Sequence, residues 1–161
     1  MKLILTTMLA LLLSTNAFAA KALDEKNISK TLDAVKIAKE HKNIRAMQRH
    51  FLGRTSVSLT DQDIESSKTK RLNFNEYKRY LSKKWKKMAS NLIEVKERSF
   101  NIDPSGKSAL VKTTLVQTVE VEGIKTETTI YETTGVKLIK GKVYIDYYSA
   151  RKMLNTSMRV N

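Results

Sequence analysis

The chain has 161 residues and a formal net charge of +14, with no cysteine and two histidines. The lack of cysteine excludes disulfides and thiolate metal sites, and two histidines cannot form a His-rich metal site by themselves. With five glycines and one proline, the chain also lacks the composition of a long linker or a low-complexity segment. We therefore expect one compact domain with no metal site and no bound cofactor.

The first twenty residues have the pattern of a secretory signal peptide. Lys2 precedes an apolar run from Leu3 to Leu13, and the small residues AFA follow at positions 17–19. This run is about half as long as the ~20 apolar residues that a membrane-spanning helix needs. We expect cleavage after Ala19 or Ala20 and a periplasmic or secreted location.

The next region has helical periodicity. Ile28, Leu32 and Val35 recur at spacings of four and three, which predicts an amphipathic helix from Asp24 to His41.

A shorter second helix is predicted after Asn43, a residue that can cap a first turn. Phe51 is expected on its apolar side, and Gly53 is expected to end it in a left-handed conformation. Residues 55–61 suit a short strand, and residues 60–71 are expected to form polar surface loops.

The third predicted helix contains EYKRYLSKKWKKM, residues 76–88, after the capping-box pair Asn73 and Glu76. At about 100° per residue, apolar side chains share one face. That face comprises Phe74, Tyr77, Leu81, Trp85 and Met88. The cations that point away from it are Arg79, Lys83, Lys86 and Lys87. We interpret the segment as a core-packing helix with a solvated basic face, and the alternative that this face binds an anionic partner stays open.

The positive charge is concentrated around this helix. Between Ser66 and Ser90 there are nine Lys and Arg residues and one carboxylate, Glu76. The expected partner is an anionic envelope component or an acidic protein. Nucleic acid is disfavoured, because a stacking surface needs exposed rings beside the cations, and most rings here point toward a core.

After Asn91 the pattern changes to alternation, which predicts four long strands in a meander. Their ranges are 92–102, 107–121, 124–139 and 142–150. The turns between them are expected at 103–106, 122–123 and 140–141. The predicted fold class is α+β, with N-terminal helices packed on a curved antiparallel sheet.

This order of elements resembles the nuclear transport factor 2-like superfamily, also called SnoaL-like, in an exported bacterial form. The stretches that carry the resemblance are AVKIAKEHKNIRAMQRHFLGRTSVSLTD (34–61), NFNEYKRYLSKKW (73–85) and VQTVEVEGIKTETTIYETTGVKLIKGKVYI (116–145). The resemblance covers nearly all of residues 21–161 as a single domain. It implies a cone with a pocket at its open end. Some members use that pocket for acid–base chemistry, others bind ligands or proteins without catalysis, and pairing of two copies through the sheet is common.

Glu132 is the candidate catalytic residue. It shares a strand phase with Ile130 and Val136, so its carboxylate is expected to be partly buried, with its pKa raised by desolvation as a general base requires. The residues expected to line a pocket beside it are Tyr80, Trp85 and Gln117.

Two functional hypotheses remain. The first, which we favour, is an exported, non-catalytic binding or interaction domain with a basic face for an anionic partner and room for a small apolar ligand. The alternative is a small cone-pocket enzyme, isomerase-like or cyclase-like, that uses Glu132 as its base.

Overall fold

The computed structural model of the protein describes residues 21–62 and 66–159. The predicted signal peptide lies outside the described residues. The helices are α1 (Glu25–Glu40), α2 (Ile44–Gln48) and α3 (Phe74–Trp85). The strands are β1 (Phe51–Gln62), β2 (Ser67–Asn73), β3 (Ser90–Ile102), β4 (Ser108–Val121), β5 (Ile124–Ile139) and β6 (Lys142–Arg159). No helix within these described ranges is long and apolar enough to cross a bilayer.

The strands form one six-stranded sheet in the order β2-β1-β6-β5-β4-β3. Strands β3 to β6 form the predicted antiparallel meander. The predicted α+β fold, with helices packed on a curved sheet, is confirmed. The sheet is mixed, because β1 pairs with β6 in parallel. Parallel strands are joined through long connections and not through tight turns, so this pairing leaves no hairpin signal in the sequence.

The helix starts follow the local sequence. The Asp24 side chain accepts a hydrogen bond from the Asn27 backbone at 2.7 Å and caps α1. The predicted capping box of α3 is confirmed: the Asn73 side chain accepts from the Glu76 backbone at 3.0 Å, and the Asn73 backbone donates to Glu76 Oε2 at 2.8 Å. Such boxes satisfy backbone N–H groups that have no partner within the helix.

Phe51 and Gly53 are not part of the second helix, contrary to the prediction. The helix α2 has only five residues, and both positions belong to β1. Gly53 does not adopt the left-handed conformation that was expected of it. Tertiary contact outweighs the helical pattern here, because the Phe51 ring stacks on Phe74 at a centroid distance of 4.7 Å and meets Tyr148 edge-on at 6.4 Å.

The predicted surface loops at 60–71 are also partly wrong, because β2 occupies Ser67–Asn73 and pairs with β1. A hydrogen bond of 2.9 Å joins the hydroxyls of Thr60 and Thr69 across this pair. All residues of β2 except Leu72 are exposed. An edge strand without a buried face lacks the apolar alternation by which strands are recognised.

Two hairpin turns lie at the predicted positions. Glu122 and Gly123 have φ values of 52° and 75°, and Lys140 and Gly141 have φ values of 50° and 74°. Two consecutive residues with positive φ are typical of type I′ turns, whose twist matches that of paired strands. The last strand continues to Arg159, nine residues beyond its predicted end at Ala150.

The core lies between the helices and one face of the sheet, which we call the inner face. The apolar stripe predicted for α3 is confirmed, since Phe74, Tyr77, Leu81, Trp85 and Met88 are all buried. From the sheet, the largest fully buried aliphatic side chains are Val57, Val111, Val136 and Ile145. The cations of α3 therefore lie away from this buried stripe.

Candidate functional site

Glu132 lies on the inner face of β5 and is bound by two other side chains. Lys39, near the end of α1, places its Nζ 3.0 Å from Glu132 Oε1 and 2.9 Å from the hydroxyl of Tyr148 on β6. The Tyr148 hydroxyl donates to the same carboxylate oxygen. The side chains of Lys39 and Glu132 are only 12% and 13% exposed. The three groups form a closed, charge-compensated cluster.

The pKa values of the partners are consistent with this pairing. Burial lowers the pKa of Lys39, but the Glu132 carboxylate and, at alkaline pH, the Tyr77 phenolate outweigh burial, so that the net pKa is raised. The pKa of Tyr148 is raised well above its ordinary value by burial and by the negative charge of Glu132. Burial also raises the pKa of Tyr77. Lys39 is therefore charged and both phenols are neutral at physiological pH.

Little space exists beside the cluster. Glu132 and Tyr148 border a cavity of about 30 Å³ toward α1 and another of about 40 Å³ toward α3. Cavities of this size hold a few water molecules. The structure thus confirms that Glu132 is partly buried on the inner face, but Oε1 already accepts two hydrogen bonds, and the two cavities that Glu132 lines are small.

The predicted pocket residues Tyr80, Trp85 and Gln117 do meet, around the 40 Å³ cavity. Trp85 is buried and forms part of the lining of this cavity. Gln117 Nε2 donates to Asn91 Oδ1 at 2.6 Å, and Asn91 Nδ2 donates to the Lys39 carbonyl oxygen at 2.8 Å. Gln117 therefore belongs to a buried polar chain that holds the end of α1 against the sheet.

A larger pocket of about 450 Å³ opens where α3 ends, and we call it the mouth pocket. Its lining comprises Asp61, Gln62, Lys84, Lys87, Met88, Gln117, Val119, Val121, Thr126, Thr128, Lys152 and Leu154. Gln117 and Lys152 also line the smaller inner cavity, so the two spaces adjoin. Burial and the nearby Lys84 ammonium lower the pKa of Lys152 to about 7.

Lys152 was missed in the sequence because the last strand was predicted to end at Ala150. The signal that could have found it is the strand phase: Tyr148, Ala150 and Lys152 alternate, and the first two are buried on the inner face. Extending that alternation by one step places a lysine on the inner face. A lysine there is unusual, because charged side chains are seldom buried without a partner.

A third, open depression of about 970 Å³ runs along the outer side of α3, and we call it the basic groove. Its lining comprises Ile44, Gln48, Lys70, Leu72, Asn75, Glu76, Lys78, Arg79, Tyr80, Ser82, Lys83 and Lys86. Three of the predicted anion-binding residues, Arg79, Lys83 and Lys86, come together in it. Lys87 does not, because it lines the mouth pocket with Lys84.

The histidines do not form a site. His41 caps the C-terminus of α1. Burial lowers the pKa of His50, and the neighbouring Arg49 lowers it further. Among the described residues, no group of three or more His, Asp or Glu side chains is placed to hold a metal ion.

Comparison with known proteins places the fold. No protein-family model and no curated protein matches the sequence. An NTF2-like protein from Cytophaga hutchinsonii superposes with a TM-score of 0.65 and 10% identity, covering 81% of this chain and all of that one (100%). A protein of unknown function with a cystatin-like fold from Nostoc punctiforme superposes with a TM-score of 0.62 and 10% identity, covering 83% and 94%.

An enzyme has the same fold. A hexachlorocyclohexane dehydrochlorinase, LinA type 2, superposes with a TM-score of 0.64 and 7% identity, covering 84% of this chain and 88% of that chain. The chain has the NTF2-like fold, and the predicted resemblance is confirmed at that level. Proteins with this fold include enzymes and proteins of unknown function, and a fold by itself does not transfer an activity.

Proposed function

We propose that this chain is an exported, non-catalytic binding domain whose basic groove binds an anionic component of the cell envelope. One observation carries the proposal: Arg79, Lys83 and Lys86 line a single open groove of about 970 Å³. Lys70 and Lys78 add to the same lining, so that five cations share the surface. A polyanion can contact several of them at once, which a small anion cannot.

The charge of the groove is not neutralised internally. Glu76 is the one carboxylate in its lining, and that side chain accepts the hydrogen bond that caps α3. Among residues 21–62 and 66–159, no carboxylate oxygen lies within 4.0 Å of the charged nitrogens of the five cations. An uncompensated cluster of this kind attracts anions over roughly a Debye length, about 10 Å at 0.1 M salt.

The cluster around Glu132 supports a non-catalytic role. A general base needs a lone pair that faces the substrate, within about 3 Å of the proton to be removed. Glu132 Oε1 accepts hydrogen bonds from Lys39 and Tyr148, and the cavities that Glu132 lines have volumes of only about 30 and 40 Å³. The same contacts fit a structural role, in which the salt bridge between Lys39 and Glu132 holds α1 against the sheet.

The groove is tested by binding of the mature protein to a sulfated polysaccharide probe at increasing salt. We expect affinity to fall steeply with salt, and Lys83→Glu with Lys86→Glu to abolish binding at low salt. The matched control is Lys107→Glu with Lys142→Glu, which makes the same charge change at two exposed positions outside the groove. Equal loss of polysaccharide binding in both double variants would show that binding depends on net charge and not on the groove, which would contradict the proposal. Binding only to an acidic protein would assign the groove to that partner class instead.

Pairing through the sheet remains a further prediction. Large apolar side chains are exposed on strands β4 to β6, among them Leu110, Tyr131, Tyr147 and Met153. A homodimer through the sheet would cover them. Sedimentation equilibrium of the mature protein measures this directly, and a monomer at high concentration would contradict it.

A further inference from the structure

The mouth pocket has the size and two-part lining of a small-molecule site. Its volume of about 450 Å³ lies within the range of roughly 300–1,000 Å³ that is usual for ligand pockets. The apolar part of the lining is formed by Met88, Val119, Val121 and Leu154. The charged part is formed by Lys84, Lys87 and Lys152 against the single carboxylate Asp61. A lining of this kind matches a ligand with an apolar body and an anionic head.

Lys84 and Lys152 reach the mouth pocket from different elements. Lys84 lies in the last turn of α3, and Lys152 lies on β6, where it pairs with Ile130 across the sheet. Both side chains line the mouth pocket, and the nearby Lys84 ammonium lowers the pKa of Lys152. Lys84 Nζ donates to the Tyr80 hydroxyl at 3.3 Å and keeps its positive charge, so the two ammonium groups repel each other. An anion between them would reduce this repulsion.

Charged side chains from several elements of the fold lie near Lys152 or line the same pocket. Lys84 repels it from α3 and Lys39 repels it from α1, while Asp61 attracts it from the end of β1. Lys87 lines the same pocket from the segment after α3. Burial and Lys84 together outweigh Asp61, since the pKa of Lys152 is lowered to about 7. The neighbourhood therefore has an excess of positive charge that an anionic ligand can compensate.

We infer that the mouth pocket binds an amphipathic carboxylate, with its head group between Lys84 and Lys152 and its apolar chain against Val119, Val121 and Leu154. The hydroxyls of Thr126 and Thr128 line the same pocket and can donate further hydrogen bonds. This site is separate from the basic groove. On α3 and its C-terminal extension, Lys83 and Lys86 line the groove, whereas Lys84 and Lys87 line the mouth pocket.

The binding is coupled to protonation. An anion between the two lysines favours the charged form of Lys152, so the pocket takes up a proton with the ligand when the pH is above the pKa of about 7. We therefore expect affinity for a carboxylate to fall as the pH rises from about 6 to about 9, a range over which the ligand itself stays ionised.

The experiment is isothermal titration of the mature protein with decanoate, with 1-decanol and acetate as probes that lack the charge or the chain. We expect decanoate to bind at least about tenfold more tightly than either probe, the factor of one charge-assisted hydrogen bond. Lys152→Met and Lys84→Met should each weaken decanoate binding about tenfold or more and leave 1-decanol unchanged. Circular dichroism confirms that each variant is folded.

Lys86→Met is the matched control, because it makes the same change on the neighbouring surface of the basic groove and should leave decanoate binding unchanged. Equal affinity for decanoate and 1-decanol would overturn the inference, as would wild-type decanoate affinity in both Lys84→Met and Lys152→Met. Loss of polysaccharide binding in Lys83→Glu with Lys86→Glu, with decanoate binding retained, would separate the two sites. Ligand binding in the mouth pocket and polyanion binding in the basic groove can therefore be confirmed or contradicted independently.

Discussion

Lys39 and Glu132 are 93 positions apart in the chain, yet their side chains form a 3.0 Å salt bridge that is nearly closed to solvent. The bridge joins the last turn of α1 to the middle of β5, and the Tyr148 hydroxyl completes it. The carboxylate most suggestive of catalysis in the sequence is thereby the counter-ion of a buried lysine. The contact fixes the position of a helix and gives Glu132 a role in stability.

Replacement of Glu132 by Gln should destabilise the fold. The change leaves the Lys39 ammonium buried without a counter-charge, and removal of one partner of a buried pair typically costs about 3–5 kcal/mol. Chemical denaturation measures the loss. The control is the double variant Lys39→Met with Glu132→Leu, which removes both charges and should recover most of the stability. Full stability of Glu132→Gln would contradict the structural role and favour the enzyme hypothesis.

Alkaline pH should destabilise the protein through the same cluster. The folded-state pKa values of Tyr77 and Tyr148 are raised from 10.0, and that of Lys39 is raised from 10.5. The unfolded chain therefore loses these protons first, so stability is fully present below about pH 10 and falls as the pH rises further. The measurement is the denaturation midpoint at about pH 9 and about pH 11, in the wild type and in Tyr148→Phe. We expect a shallower fall in the variant, and an equal fall would assign the effect to other groups.

Lys152 should give the opposite pH dependence at lower pH. Its folded-state pKa is lowered from 10.5 to about 7, so the unfolded chain binds more protons between these values. Stability without ligand is then expected to rise as the pH increases from about 7 to about 10. Lys152→Met should be more stable than the wild type at about pH 6 and should lack this rise, whereas Lys86→Met should keep it. If the stability of Lys152→Met rose with pH as much as that of the wild type, the attribution of this pH dependence to Lys152 would be wrong.

Asn91 should matter for stability although it lines neither the mouth pocket nor the basic groove. Asn91→Ala removes the acceptor of Gln117 Nε2 and the donor to the Lys39 carbonyl oxygen. Buried polar groups left without partners typically cost about 1–3 kcal/mol each. Asn101→Ala, at an exposed position on the same strand, is the control and should lie within about 0.5 kcal/mol of the wild type. Similar stability of the two variants in urea denaturation would contradict the role of this polar chain.

Local sequence was enough to predict α1, α3 and the meander of β3 to β6. The reasons are local: an apolar stripe at helical spacing, capping residues such as Asn73, and turns such as Glu122–Gly123 that need positive φ. The side of β5 on which Glu132 lies also follows from alternation alone. The part of β6 beyond Lys152 was missed because an exposed strand terminus lacks a buried face, and β2 was missed for the same reason.

The functional assignment of those residues was decided by tertiary structure. Alternation placed Glu132 on the inner face, but only the packing of α1 against the sheet brings Lys39 to it and converts a candidate base into half of an ion pair. Periodicity placed Arg79, Lys83, Lys86 and Lys87 away from the core, but only the tertiary structure divides them between two cavities, with Lys83 in the basic groove and Lys87 in the mouth pocket. Sequence periodicity determines whether a side chain faces the core or the solvent. Which group it meets there depends on elements distant in the chain, whose approach is set by packing.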